Sequence, residues 1–137
     1  MTATLILYGS VTGLVDGRRI TAGSNETASS FLVKGLRHEE TLSIANGASG
    51  IIYANSLGAF NTAVIESDFD TRVVLTDNAA VPNVFSLGLR GTGKATQYGL
   101  PLVLTLGTTL NASTTINSIV VHNVSGQTAK VHGIVLK

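Results

Sequence analysis

The chain has 137 residues, of which 44% are hydrophobic and only 12% are charged, and its formal net charge is +1. This composition excludes a disordered chain, which is poor in apolar residues and rich in charge. The basic residues are scattered apart from Arg18 and Arg19, so they predict no footprint for a nucleic-acid backbone. The absence of cysteine excludes disulfides, thiolate chemistry and cysteine-based metal sites.

The N-terminal segment has a short apolar run and no basic residues before it. No apolar run approaches the roughly 18 residues of a membrane span, so we expect no cleavable signal and no membrane partner. Leu5, Ile6 and Leu7 are consecutive, and neighbouring side chains of a strand point to opposite faces. We therefore predict that one face packs on the core and the other on a neighbouring subunit. The alternative is a central strand buried on both sides.

Short runs rich in Val, Ile, Leu and Thr alternate with clusters of Gly, Asn, Asp and Ser along the whole chain. This pattern predicts strands separated by turns. The predicted strands are 3–8, 18–22, 30–35, 41–45, 51–55, 63–67, 72–76, 84–90, 102–106, 115–123 and 129–136. Residues 34–40 have some helical character, enough for a single turn. The regular spacing predicts one all-β domain over residues 1–137, an antiparallel β-sandwich, with a jelly roll as its specific form.

The last predicted strands flank a Ser-Gly-Gln loop, which is typical of a β-hairpin. In a hairpin, His122 and His132 would face each other across the two strands. Two histidines without further ligands do not make a structural zinc site, so the sequence predicts no bound metal there.

Gly88 to Ala95 has the Gly-x4-Gly-Lys spacing of a phosphate-binding loop. Such a loop needs Ser or Thr after the lysine and a following helix, but Ala95 follows Lys94, and Gly99 and Pro101 exclude a long helix. We therefore predict a glycine-rich loop between strands, with no nucleotide and no other cofactor.

Glu66, Asp68 and Asp70 alternate along the chain, so at strand spacing their side chains lie on one face and are candidate ligands for a cation such as Ca²⁺. The alternative is an exposed loop anchored by Phe69. No catalytic signature of a hydrolase or metalloprotease is present, and we predict no catalytic residues and no enzyme activity.

Residues 114–131 read Thr-Thr-Ile-Asn-Ser-Ile-Val-Val-His-Asn-Val-Ser-Gly-Gln-Thr-Ala-Lys-Val. This segment resembles small β-sandwich structural proteins of tailed-bacteriophage virions, in which a strand ending in Asn, a Ser-Gly turn and a Thr- or Val-rich return strand close the sandwich. The resemblance covers these residues and rests on composition and turns. It implies a head decoration or cement subunit, a connector, or a tail or fibre component.

From the resemblance we expect a virion structural protein that forms subunit interfaces, most specifically a capsid decoration or cement protein that stabilises the phage head. The expected partners are other virion proteins, either the major capsid protein or neighbouring copies in a homo-oligomer, with a trimer favoured. The protein would be made in the bacterial host cytoplasm and located in the virion. The alternative function is a tail or fibre module that binds a receptor or glycan through loops around Asp68, Asp77 and Arg90.

Overall fold

A computed structural model describes residues 3–33, 37–58, 60, 62–105 and 116–137. For residues 3–15, 20–33 and 105 it describes the backbone only. The chain divides into two compact units, residues 1–35 and 36–137. The described residues contain no helix, and hence none that is long and apolar enough to cross a membrane.

The first unit is a two-stranded antiparallel sheet of β1 (Ala3–Val15) and β2 (Arg18–Val33). Asp16 and Gly17 connect the strands with positive φ angles of 49° and 74°, as a tight hairpin turn requires. We predicted two strands, 18–22 and 30–35, in place of β2. The polar segment between them does not end the strand. Residues 25–28 form an irregularity opposite Tyr8, where the register between β1 and β2 shifts, and pairing continues on both sides of it. Residue 35 lies outside the described residues.

The second unit contains eight antiparallel strands in two sheets. One sheet has the order β3-β10-β5-β8 and the other the order β4-β9-β6-β7. The strands are β3 (Arg37–Ile44), β4 (Ser49–Ala54), β5 (Thr62–Ser67), β6 (Thr71–Asp77), β7 (Val84–Leu89), β8 (Leu102–Thr105), β9 (Ile116–Asn123) and β10 (Ala129–Leu136).

The pairing within this unit is nested. The first strand pairs with the last (β3 with β10), the second with the seventh (β4 with β9), the third with the sixth (β5 with β8), and the two middle strands with each other (β6 with β7). Such a ladder folded into two sheets is a jelly roll. The predicted all-β antiparallel sandwich is therefore confirmed. Its strands all lie between Arg37 and Leu136, whereas we predicted one domain over residues 1–137.

The core lies between the two sheets, because the inner strands alternate buried and half-buried residues as a one-sided sheet requires. Gly133 of β10 marks a close approach between the two sheets. A Cβ at this position would lie 2.4 Å from the side chain of Ile52 in β4, so only glycine fits there. The buried hydrophobic residues are Ile44, Ile52, Tyr53, Phe60, Ala63, Ile65, Val73, Leu75, Leu89, Ile119, Val121, Ala129, Val131 and Val135.

Asn123 directs the chain from one sheet to the other. Its fully buried side-chain amide donates to the carbonyl oxygens of Ile44 (2.7 Å) and Gln127 (2.6 Å), and its Oδ1 accepts from the backbone N–H (3.0 Å) and hydroxyl (2.7 Å) of Ser125. The amide therefore holds together the end of β3, the end of β9 and the turn that leads to β10.

The predicted C-terminal hairpin is wrong, because β9 and β10 belong to opposite sheets. His122 pairs with strands β4 and β6, whereas His132 pairs with β3 and β5, so the two histidines do not face each other. The physical reason is that both strands have one apolar face. Each buries that face by packing across the core, and Asn123 satisfies the polar groups of the turn.

Two smaller expectations also change. Residues 37–40 belong to strand β3 and not to a helical turn, because they pair with the end of β10, and residues 34–36 lie outside the described residues. The ends that we predicted for two strands, residues 106 and 115, likewise fall outside the described residues.

We expect Asn123→Ala to lower the free energy of unfolding by about 2–4 kcal/mol, because it removes a buried network and leaves the Ile44 carbonyl without its donor. Urea unfolding measures the change. The matched control is Asn46→Ala, which removes one exposed hydrogen bond from the same turn. Equal stability of the two variants would contradict the role given to Asn123.

Candidate functional site

Strand β7 carries a strip of apolar side chains that the rest of the unit does not cover. The side chains of Val84, Phe85 and Leu87 are 64%, 50% and 38% exposed, and Leu89 is the one buried residue of the strand. Phe85, Leu87 and Leu89 alternate along the strand and so share the face that points to the core, whereas Val84 lies on the outer face. The core-facing side of β7 therefore becomes open to solvent toward the start of the strand.

The turn before β7 is held by Asp77, at the end of β6. Its carboxylate is buried and accepts hydrogen bonds from the backbone N–H of Ala79 (3.2 Å) and from the backbone (2.8 Å) and side-chain (2.7 Å) N–H groups of Asn83. The Asn83 side chain is the main cause that holds the pKa of Asp77 below its ordinary value. This clamp fixes the point where β7 begins.

The loop after β7 is held by Asp68. This buried carboxylate accepts from the backbone N–H groups of Thr96 (2.9 Å) and Lys130 (2.8 Å), and its carbonyl oxygen accepts from the N–H of Gly93 (2.9 Å). A Cβ at Gly91 would lie 2.3 Å from the same carbonyl oxygen, so the loop requires glycine there. The segments at both ends of β7 are thus held by buried carboxylates that accept hydrogen bonds from backbone N–H groups.

The three candidate cation ligands have separate partners. Asp68 holds the loop, Asp70 accepts from the backbone N–H of Gly91 (3.0 Å), and Glu66 contacts Nδ1 of His132 (2.9 Å). Within the described part of the chain, no three His, Asp or Glu side chains form a group that could hold a metal ion. The alternation seen in the sequence ends at Ser67, where β5 ends and the chain turns.

The residues proposed for a receptor or glycan site also lie apart. Asp68 and Arg90 are near one end of the paired strands β6 and β7, and Asp77 is at the other end of β6. A strand of this length spans about 20 Å. Lys94, from the phosphate-loop pattern, is exposed in the loop between β7 and β8.

A charged cluster lies on the other sheet, on β3, β5 and β10. Nδ1 of His132 contacts Glu66 (2.9 Å) and Nε2 contacts Glu39 (2.9 Å), and the ring of Tyr98 lies 6.1 Å from the imidazole. An ionised carboxylate only accepts, so both ring nitrogens can donate to these carboxylates when the imidazole is protonated. The hydrogen bond with Glu39 is the main cause that raises the pKa of His132 above 6.5, and it also lowers the pKa of Glu39.

We expect this cluster to make stability depend on pH in one direction. A raised pKa in the folded state means that the contribution of His132 is complete below pH 6.5 and is lost as pH rises through the raised value. As the pH is raised from about 6 to about 9, the urea midpoint of the wild type should therefore decrease more than the midpoint of His132→Gln does. His122→Gln is the matched control, because it removes a histidine from the other sheet. A slope that survives in His132→Gln would contradict the assignment.

Sequence reasoning missed the exposed strip on β7. Residues 84–90 were predicted as a strand, but alternation alone does not tell a central strand from an edge strand. The signal was present in Val81, Val84 and Phe85, three large apolar residues beside the Pro82 break, all of them exposed.

The predicted interface residues Leu5, Ile6 and Leu7 lie in β1, of which the structure describes the backbone. Within the described residues β1 pairs with one strand, β2, whereas a central strand has a neighbour on each side. Their role in an interface stays a prediction.

The fold and the site define a jelly-roll sandwich whose β7 edge exposes apolar side chains. No family model, no curated protein and no solved structure matches the chain.

Proposed function

We propose that this chain is a structural subunit that works by packing against other protein surfaces. The observation that carries the proposal is the exposed apolar strip on β7. Isolated surface hydrophobics need no explanation, but contiguous apolar patches on a soluble domain mark interaction sites. Here Phe85 and Leu87 share one face of a short strand, and hydrogen bonds hold the segments at both ends of that strand, so the patch is preformed.

The specific form of the proposal is a virion structural protein, a capsid decoration or cement protein that stabilises a phage head. Two features support it. Jelly rolls occur in viral capsid proteins, although they also occur in lectins and cupins, so the fold is an analogy and the site carries the argument. The C-terminal segment, with its buried Asn123 and Ser-Gly turn, is the part of the chain that resembles phage proteins.

A second candidate is a tail or fibre module that binds a receptor or glycan. It is favoured by the loop between β7 and β8, which Asp68 holds in place and which presents the half-buried ring of Tyr98. Rigidly held loops on a β scaffold often carry binding sites. A thermal-shift screen with Ca²⁺ and a sugar panel separates the two candidates, since only a module responds with a saturable shift.

We expect Phe85→Lys to weaken association of the purified protein at least about tenfold, because a lysine on the strip places charge in an apolar interface. Sedimentation velocity across a concentration range measures the association. The matched control is Ile51→Lys, which replaces a 59% exposed residue on β4, at the opposite edge of the same sheet. Circular dichroism should show that both variants fold.

The virion assignment has its own test. Particles purified from a lysate of cells that produce this chain should contain its peptides in a fixed ratio to the major capsid protein, and Phe85→Lys should reduce that ratio while Ile51→Lys should not. Association and particle content that are unchanged in Phe85→Lys would contradict the proposal.

A further inference from the structure

The four edge strands of the sandwich differ in how they are protected against pairing with another chain. Edge strands in soluble proteins are usually blocked by charge, by a bulge or by shortness. β3 carries Arg37, Glu39 and Glu40, and β4 has a register irregularity between Ile51 and Tyr53. Four residues of β8 are described, Leu102–Thr105, and the residues after them lie outside the described part of the chain.

Strand β7 has none of these protections. Its six residues, Val-Phe-Ser-Leu-Gly-Leu, include no charge and no proline, and its register with β6 is unbroken from Val84 to Leu89. Among the described residues β6 is its one neighbouring strand. An uncharged, apolar and regular edge of this kind is a template for a further strand.

The backbone groups that β7 offers can be identified from the turn before it. The N–H of Asp77 donates to the carbonyl of Asn83 (3.1 Å), so these two residues are at a hydrogen-bonding position of the ladder. Such pairs alternate along an antiparallel ladder. Phe85, Leu87 and Leu89 therefore bond to β6. The N–H and C=O groups of the intervening residues, Val84, Ser86 and Gly88, point away from the sheet.

We propose that β7 pairs antiparallel with β7 of a second copy of this chain, about a twofold axis through Ser86, to join two four-stranded sheets into one. This deepens the proposed function and rests on it. Such an axis places Val84 opposite Gly88 of the second copy, and it places Ser86 opposite Ser86 of the second copy. The outward groups of all three residues then pair, in about six backbone hydrogen bonds.

The side chains of β7 are compatible with this self-pairing. The same axis brings Phe85 opposite Leu87 of the second copy, so the two exposed core-facing residues cover each other. Arg90 is the charged residue nearest to β7. It comes opposite Pro82 of the second copy and not opposite the second Arg90. An edge that meets itself must avoid like charges. β7 carries none, whereas β3 carries Glu39 and Glu40.

The experiment compares three substitutions at Ser86, whose exposed side chain lies on the outer face. Ser86→Pro removes the outward N–H without touching the ladder to β6, and proline is tolerated at such edge positions. Ser86→Lys adds the charge that protects other edges. Ser86→Ala is the matched control, because it keeps the N–H and removes only the hydroxyl. Sedimentation velocity and native mass spectrometry measure the dimer, and circular dichroism checks folding.

We expect the wild type to form dimers or assemblies with an even number of copies. Both Ser86→Pro and Ser86→Lys should raise the dissociation constant at least about tenfold, and Ser86→Ala should change it by less than about threefold. Because the lysine variant keeps the wild-type backbone, a failure of the proline variant to fold leaves the test intact.

Three outcomes would overturn the pairing. An assembly that is equally stable in all three variants, or a strict trimer, would exclude the twofold contact through β7 while leaving the proposed structural role in place. A monomer at every concentration would also exclude it, and the structural role would then depend on binding to other proteins, which the particle analysis measures separately.

Discussion

The side-chain amide of Asn123 is the interaction on which the rest of the sandwich depends. It is buried where a chain leaving β9 must cross to the other sheet, and it satisfies carbonyl groups of β3 and of the turn, while its oxygen accepts from Ser125. With β9 and β10 in opposite sheets, β10 pairs with β3 and β5, and β9 pairs with β4 and β6. A simple hairpin at this position would give a different fold.

The nested order also determines where the open edge lies. The first strand pairs with the last, and the pairing proceeds inward until β6 and β7 remain as the innermost hairpin. The strand at the end of that sequence is necessarily at a sheet edge. In this protein β7 is apolar, uncharged and clamped by Asp77 on one side and by the Asp68 loop on the other. Asn123 and the exposed edge of β7 thus lie in different parts of the same sheet.

The sequence was sufficient for the class of fold and for most strands of the sandwich, because period-two alternation and turn residues are local signals. β10 was predicted with its exact bounds, and β5, β6 and β7 to within a residue at each end. The sheet to which each strand belongs was not predictable in the same way. The segment around Ser125 looks like a hairpin turn, and only the distant carbonyl of Ile44 shows that Asn123 turns the chain into the other sheet.

The candidate site was less predictable than the fold, for a related reason. Alternating carboxylates at Glu66, Asp68 and Asp70 indicate a shared face only if the strand continues, and β5 ends at Ser67. Asp68 instead turns inward to backbone groups that are far away in sequence, those of Thr96 in the loop after β7 and of Lys130 in β10. The His132 cluster likewise joins three strands. Edge exposure, which makes β7 a site, is a property of the whole strand order.

Hydrogen exchange of the unmodified protein at low and high concentration tests the central claim most directly, because it reads the individual amides of β7. If this edge is an interface between copies, the amides of Val84, Ser86 and Gly88 should become protected as concentration rises. Those of Phe85 and Leu87, already bonded to β6, should not change. Equal exchange of all β7 amides at both concentrations, in a protein that nevertheless associates, would contradict the account and move the interface elsewhere.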